Sequence, residues 1–350
     1  MAVLVTGGTG FIGSHTCVEL INNNYDIVIV DSLVNSYKKV IDKIIKITET
    51  KQKYELPKIS FYQCDIRDEK ELRNIFINQK KINKSISAVI HFAGLKSVFE
   101  SFKKPILYWD NNVGGTLKLI KVMKEFNCKK FIFSSSATIY DASKGFLLNE
   151  KSSLAPSNPY GMTKLTIENF LKDLCYDTNY NWEIISLRYF NPIGAHPSGL
   201  IGESPFGLPN NIFPYLCRVA SGQYEKLFIF GNDWPTKDGT GIRDYIHVVD
   251  LAQAHLQALK FLANKKPGII QLNVGTSNGS SVLDLVKTFE EVNNCNINYE
   301  FAEKRQGDFA EVIADNKLLI KTLNWKPKLN LKNMCKDGWN WQQKNPNGYS

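Results

Sequence analysis

Paired cysteines, long apolar runs and dense basic blocks are all missing from this 350-residue chain. Its seven cysteines, Cys17, Cys64, Cys128, Cys175, Cys217, Cys295 and Cys335, form an odd, scattered set without CxxC spacing. That excludes a disulfide framework and the usual metal and dithiol motifs, and leaves reduced packing residues. No uninterrupted apolar stretch is long enough to span a bilayer, and the opening MAVLVTGG lacks a basic region followed by a hydrophobic stretch and a cleavage site. The expectation is a cytoplasmic protein with no membrane partner and no bound metal. The net charge of +9 is dispersed in pairs (Lys38-Lys39, Lys80-Lys81, Lys103-Lys104, Lys129-Lys130, Lys265-Lys266). Such a pattern describes a solvated surface and no nucleic-acid footprint, although a positive field also favours approach of an anionic substrate. Internal repeats and low-complexity tracts are absent too.

What is present is an ordinary globular balance, 43% hydrophobic and 22% charged, enough for one large or two moderate domains. Short β-branched runs (Val3–Thr6, Ile27–Asp31, Ile59–Cys64, Ser87–His91, Lys130–Ser134, Trp182–Leu187) alternate with helix-length stretches (Gly13–Asn23, Asp68–Asn78, Ile106–Phe126, Tyr160–Thr178). Runs such as IVIV lack polar alternation, as strands buried on both faces do. The pattern predicts an α/β fold, a doubly wound parallel sheet of Rossmann type covered by helices. After Asn191 a long loop is punctuated by Pro192, Gly194, Pro197, Gly199, Gly202, Pro205, Gly207 and Pro209, and loops of that length are usually functional. Beyond it, runs at Leu227–Phe230, Ile269–Asn273 and Ile297–Phe301, with helical stretches at Val248–Ala263, Val282–Val292 and Lys332–Gln343, predict a smaller mixed α/β substrate-binding domain. The expected division is 1–190 and 191–350, with about 240–265 returning to the first domain.

Three constellations carry chemistry. Thr6-Gly7-Gly8-Thr9-Gly10-Phe11-Ile12-Gly13 follows the first strand and opens a helix. Glycines at 7, 10 and 13 permit a tight turn, a close approach to pyrophosphate and tight helix-to-strand packing, with the anion on the helix N-terminus. Asp31 ends the second strand, where a carboxylate takes both ribose hydroxyls and repels a 2′-phosphate, which favours NAD over NADP. Second, Tyr160 and Lys164 are spaced i, i+4 on one helical face, behind the cap and first-turn proline Asn158-Pro159. A phenolate base near neutrality needs its pKa, about 10 when free, lowered by roughly 3 units, about 4 kcal/mol, which a nearby ammonium and the nicotinamide ring can supply. Third, Ser136, at the C-terminal end of the fifth strand, stands where doubly wound sheets place ligands. A hydroxyl there can bridge a substrate oxygen and Tyr160. Together they predict hydride transfer at an alcohol carbon.

These residues resemble the extended short-chain dehydrogenase/reductases. More closely, His91-Phe92-Ala93-Gly94-Leu95-Lys96, Asp110-Asn111-Asn112-Val113, Ser134–Thr138, Arg188-Tyr189-Phe190-Asn191-Pro192, Pro209-Asn210-Asn211, Gly231-Asn232-Asp233 and Gly239–His247 are similar to signatures of the UDP-glucose 4-epimerase family. The resemblance implies reversible inversion at C4 of UDP-glucose and UDP-galactose through a 4-keto sugar and bound NAD, with Ser136, Tyr160 and Lys164 catalytic. It implies that Gly7, Gly10, Phe11, Ile12 and Gly13 hold pyrophosphate, Asp31, Asn35 and Ser36 the adenosine side, and Asp65 and Ile66 the adenine. Phe92, Ala93, Gly94, Lys96, Asn111 and Phe190 would line the rest of the cofactor cleft. Asn191, Asn211, Phe230, Arg243, Arg305 and Asp308 match positions that contact the UDP-sugar, which Lys96, Ser136 and Tyr160 also face. A homodimer is implied as well.

The chain departs from that pattern at Asp141 and Cys64, where glycine is usual, which puts turn geometry in question. At Val312 relatives vary: a large aromatic closes the pocket around the sugar 2-substituent, and a small side chain leaves room for N-acetylated UDP-hexosamines. His91 is read as strand-end packing. A 4,6-dehydratase or decarboxylase on the same scaffold is the nearest alternative, but dehydratases need an acid pair where Ala137 and Thr138 stand. A non-catalytic NAD sensor would have no reason to keep Ser136, Tyr160 and Lys164 together.

Overall fold

Val3, Leu4 and Val5 are buried on both faces of the first strand, Ala2–Thr6, and a strand of that kind is stable only in the interior of a covered sheet. The computed structural model describes residues 2–49, 57–209, 211–264, 266–305 and 307–349; Asn210 and Lys265, named above, lie outside the described residues. Among these, the largest sheet has seven strands in the order Gly268–Val274, Glu183–Tyr189, Lys130–Ser136, Ile86–His91, Ala2–Thr6, Asp26–Asp31, Ile59–Gln63. Pairing is parallel from Lys130–Ser136 across to Ile59–Gln63. The order reverses about Ala2–Thr6, so the crevice outside the carboxyl ends of Ala2–Thr6 and Ile86–His91 is the topological switch point, where such sheets bind ligands. The chain divides into two compact units, the first comprising Met1–Ile139, Leu154–Arg188 and Ala252–Leu272, the second Tyr140–Ser153, Tyr189–Leu251 and Asn273–Ser350.

In the first unit the sheet is covered by helices that include Phe11–Asn22, Glu69–Lys81, Gly115–Glu125 and Pro159–Leu174. Leu4, Val28, Leu72, Leu119, Phe131 and Trp182 belong to one buried cluster. Asn158 caps the helix Pro159–Leu174 by accepting from Gly161 N at 2.8 Å, and Pro159 presets its first turn. That helix stops at Leu174, short of the expected Thr178. Cys175 N and Tyr176 N turn to the carbonyls three residues back, which closes the last turn. A buried ion pair, Arg188 with Glu168 at 2.6 Å, ties it to the strand Glu183–Tyr189; removing one partner of such a pair costs about 3–5 kcal/mol.

Two expectations are corrected. The single helix expected over Ile106–Phe126 is broken into Pro105–Tyr108, a π-helical stretch Trp109–Gly114 and Gly115–Glu125. The extra residue in the wide turn accompanies Asn112, which turns inward to bond neighbouring loops. The run Ile269–Asn273, assigned above to the smaller domain, lies in the edge strand of the seven-stranded sheet, where Gly268 N reaches Trp182 O at 2.6 Å. The helix Val40–Glu49 was not anticipated; its apolar residues Val40, Ile44 and Ile47 fall on one buried face.

The second unit contains a five-stranded sheet built on Ile242–His247, which pairs with Gly279–Ser281, Glu311–Ala314 and Asn191–Ile193, while Leu147–Leu148 extends it beyond Glu311–Ala314. The last pairing is why 140–153 belongs here. Leu227–Phe230 and Tyr299–Ala302 form a separate parallel pair. The helices Ile212–Ala220, Val282–Asn293 and Leu331–Lys344 enclose a core with Phe213, Leu216, Phe289 and Cys335. All seven cysteines are free thiols. No helix among the described residues is long and apolar enough to cross a membrane, and no group of three or more metal-ligating side chains is placed to hold an ion.

Candidate active site

The turn after the first strand is built by overlap that only glycine avoids. Gly7 has φ +69°, and a methyl group on it would sit 2.8 Å from Ala93 N; one on Gly13 would overlap Gly7 O and approach Gly8 Cα to 2.9 Å. Gly10 caps the helix Phe11–Asn22 with no side-chain acceptor, whereas Asp68, Ser97 and Asn158 each cap their own helices. The first-turn N–H groups of this helix are thus left for an external anion. Asp31 is buried, its Oδ2 accepting from Thr9 N at 3.1 Å and its Oδ1 from Leu33 N at 3.0 Å and Ser36 Oγ at 2.8 Å. It therefore also locks the loop after the second strand to the glycine turn. Phe92 N and Ala93 N bond Thr6, which brings the fourth strand's end beside Gly7. Phe92 itself stacks 4.6 Å from His255. These residues fit a dinucleotide: an open helix terminus, a turn with no side chains in the way, and a carboxylate at the second strand's end.

Around them, Asp65 is gripped by Arg67, which also reaches Asp110 at 2.7 Å, and the guanidinium holds the Asp65 carboxyl below the usual carboxylate range. Ile66 is buried against Gly115, while Asn35 and Lys96 are exposed. The departures at 64 and 141 cost nothing in backbone strain. Asp141, at φ −85°, caps its own short turn through Ser143 N, and Cys64, outside the positive-φ set, bonds Asp31 O through its N–H and Asp65 O through its thiol.

Ser136 is the last residue of its strand and lies close enough to Tyr160 to hold its phenol down, while its Oγ accepts from Thr138 N at 3.2 Å and Thr138 Oγ1 at 3.0 Å. With those two donors on its lone pairs, the Ser136 proton is free to point at the phenol. Lys164 Nζ donates to Ser134 O at 2.8 Å and lies 5.8 Å from the Tyr160 ring. Burial governs both groups, pushing the phenol up to about 12 and pulling the ammonium down to about 8. Ser136 works in the opposite direction on Tyr160. His91 is buried between Thr6 Oγ1 (2.7 Å) and Thr116 Oγ1 (2.9 Å) and pulled down to about 3, a neutral packing residue.

Asn112, next to the anticipated Asn111, was not singled out. Buried in the π-helical stretch, it accepts from Leu95 N at 2.8 Å and donates to Leu95 O at 3.0 Å, so it pairs with the loop as a strand would. Its amide also donates to Thr163 Oγ1 at 3.1 Å, whose hydroxyl donates to Tyr160 O at 2.7 Å. The Gly94–Lys96 loop and the first turn of the tyrosine helix are thereby joined through one side chain.

In the second unit, the Arg305 guanidinium stacks on Phe230 at 3.7 Å, and Arg243 approaches Asp308 at 3.9 Å while donating to Phe309 O at 2.9 Å. Val312 is half-buried and lies directly opposite Arg243 in the strand register. Asn191 opens a short strand opposite Tyr245, and Phe190 is buried with its N–H on Val274 O. Asn211 is exposed and, although it stands at a helix N-cap, sends its amide to Glu203 Oε1 at 3.0 Å.

The family profile described as GDP-mannose 4,6 dehydratase matches residues 4–338. The chain is 47% identical over 349 residues to a UDP-glucose 4-epimerase of Bacillus subtilis (strain 168), covering 100% of this chain and 99% of the relative. It is 47% identical over 348 residues to one of Dictyostelium discoideum, covering 99% and 97%. The solved UDP-glucose 4-epimerase from Bifidobacterium longum, in complex with NAD+ and UDP, superposes with a TM-score of 0.92 at 43% identity and covers 100% of both chains. At that likeness over its whole length, the chain belongs to the UDP-glucose 4-epimerase family, within the group that the profile describes.

Proposed function

We propose that this chain interconverts UDP-galactose and UDP-glucose by inverting carbon 4, using NAD that stays bound through turnover. The observation that carries the reading is Ser136 set beside Tyr160 at the start of a capped helix, with Lys164 one turn along. The family of the chain supports it. Held by the residues named below, NAD would supply a reversible hydride acceptor and donor for carbon 4. Tyr160 takes the 4-hydroxyl proton and gives it back, and Ser136, donating to the phenol oxygen, stabilises it in the deprotonated state. Lys164, cationic below about pH 8, is the chain's own positive charge beside the ring. The glycine turn with Phe11 and Ile12 holds pyrophosphate, Asp31, Asn35 and Ser36 the adenosine side, Asp65 and Ile66 the adenine, and Phe92, Ala93, Gly94, Lys96, Asn111 and Phe190 the rest. Asn191, Asn211, Phe230, Arg243, Arg305 and Asp308 bind the UDP-sugar, the guanidiniums suiting a diphosphate.

Purified chain incubated with UDP-galactose and no added NAD is expected to release UDP-glucose. A stable 4-keto product would place it with the dehydratases, and bound NAD without conversion would make it a sensor. Val312 is read as leaving room at the sugar 2-substituent. In the same assay UDP-N-acetylgalactosamine should turn over, and Val312→Tyr should lose that activity while keeping UDP-galactose; an unchanged rate on the N-acetylated sugar removes the idea.

The chain is also read as a homodimer. Phe99, Phe102, Ile106, Trp109, Leu117 and Met162 are exposed apolar residues around the broken helix and the tyrosine helix, a surface a second copy would cover. Light scattering should give twice the chain mass, and the mass of one chain would sink this reading.

A further inference from the structure

We propose that the C-terminal segment Asn340–Tyr349 belongs to the sugar-nucleotide binding machinery, acting as a splint that sets the 196–204 loop and, through Glu203, the amide of Asn211. The inference rests on the proposed placement of Asn211 against the UDP-sugar.

The loop after Asn191 has almost no regular secondary structure to satisfy its backbone, so its polar groups need other partners. The C-terminal helix and tail supply them. Side chains of Asn340, Lys344 and Asn345 donate to the consecutive carbonyls of Pro197, Ser198 and Gly199 at 2.9–3.0 Å. Trp341 Nε1 donates to Glu203 O at 3.3 Å. The Tyr349 hydroxyl accepts from Gly202 N at 3.0 Å and donates to Gly202 O at 3.2 Å, satisfying both backbone groups of one residue. Trp341 and Tyr349 are buried with their rings 4.7 Å apart, and the space a side chain at Gly202 would need is filled by the Trp341 indole.

The connection to binding runs through one side chain. Glu203 sits between the Tyr349-bound Gly202 and the rest of the loop, and its Oε1 accepts from Asn211 Nδ2. Asn211 gives its own helix no cap hydrogen bond. Its amide is aimed by Glu203, which is aimed by Trp341 and Tyr349, more than 130 residues later in the chain. Tyr349 and Glu203 are thus positioning residues that touch no reacting atom.

The test uses the NAD-loaded enzyme. Tyr349→Phe keeps the ring and removes both bonds to Gly202; KM for UDP-galactose should rise about 3- to 10-fold, the scale of one or two neutral hydrogen bonds. The kcat should stay within about twofold, since no catalytic group moves. UDP binding measured by calorimetry should weaken by the same factor while NAD content is unchanged. Glu203→Ala should do the same, and Glu203→Gln, which retains an oxygen acceptor, should restore KM towards the wild type. Unchanged KM and UDP affinity in Tyr349→Phe and Glu203→Ala overturn the inference, as does a fall in kcat alone; should Tyr349→Phe fail to fold, the Glu203 pair decides. A wild type that neither converts UDP-galactose nor binds UDP refutes the proposed function itself.

Discussion

Replacing Tyr160 by phenylalanine is expected to lower kcat by roughly 10²- to 10⁴-fold, the usual contribution of a positioned general base, with NAD content and fold preserved. The ring that packs near Lys164 is retained and only the oxygen is lost, so the effect reads the proton transfer together with the phenol's interaction with Ser136. Its direction with pH follows from the chain's own groups. Burial drives the phenol up to about 12, and Ser136 pulls it down. The wild type must therefore gain activity as pH rises towards the phenol's pKa in the loaded enzyme, and Tyr160→Phe should lose that rising limb. Ser136→Ala should be milder, because it removes a donor to the base and leaves the base in place. Steady-state rates from pH 6 to 9 on both variants, with NAD counted per chain, check this; a Tyr160→Phe enzyme within tenfold of wild type would mean that another group carries the proton.

Gly13→Ala is expected to abolish retention of the dinucleotide and to destabilise the first unit by about 2–3 kcal/mol, as overpacking of a fixed site does. The added methyl would meet Gly7 O, Gly8 Cα and Gly7 C, all backbone atoms of a turn already committed to φ +69° at Gly7. No flexible side chain can give way. The turn and the helix must separate, which takes apart the anion site and the packing together. Gly10→Ala is the control: its methyl would have one close neighbour, Gly7 O at 3.2 Å, and its φ of −74° suits any residue. It should cost much less stability. Counting NAD released on denaturation and comparing urea midpoints separates the two; equal loss in both variants would show that glycine at these positions serves something other than space.

The contrast between the two glycines also shows what is readable in a sequence. Steric demands inside the 7–13 turn are local, so spacing conveys them, and the i, i+4 spacing of Tyr160 and Lys164 becomes a shared face once a helix is granted. The alternation of β-branched runs and helical stretches likewise predicts the parallel sheet. Asn112 is different. Its three hydrogen bonds exist because a π-helical stretch rotates it inward, and a one-residue change of winding leaves no trace in the 3.6-residue pattern. The run Ile269–Asn273 reads as an apolar strand, but nothing in it says which sheet has an open edge. The Tyr160 pKa needs the burial that only the packed helix supplies. Tyr349 and Glu203 escape for a simpler reason, the distance along the chain between them.

The interleaving of the two units sets the order in which the protein can be made. The strand Gly268–Val274 closes the edge beside Glu183–Tyr189, so a nascent chain carries that edge unpaired until residue 274 has left the ribosome. The second unit waits longer still, because the 196–204 loop has no full set of partners before Tyr349 emerges. Neither unit is therefore made from one contiguous stretch of chain. Chains stopped short of Tyr349 would release a completed first unit attached to a second whose 196–204 loop lacks its partners, and cutting the gene after residue 190 would separate neither.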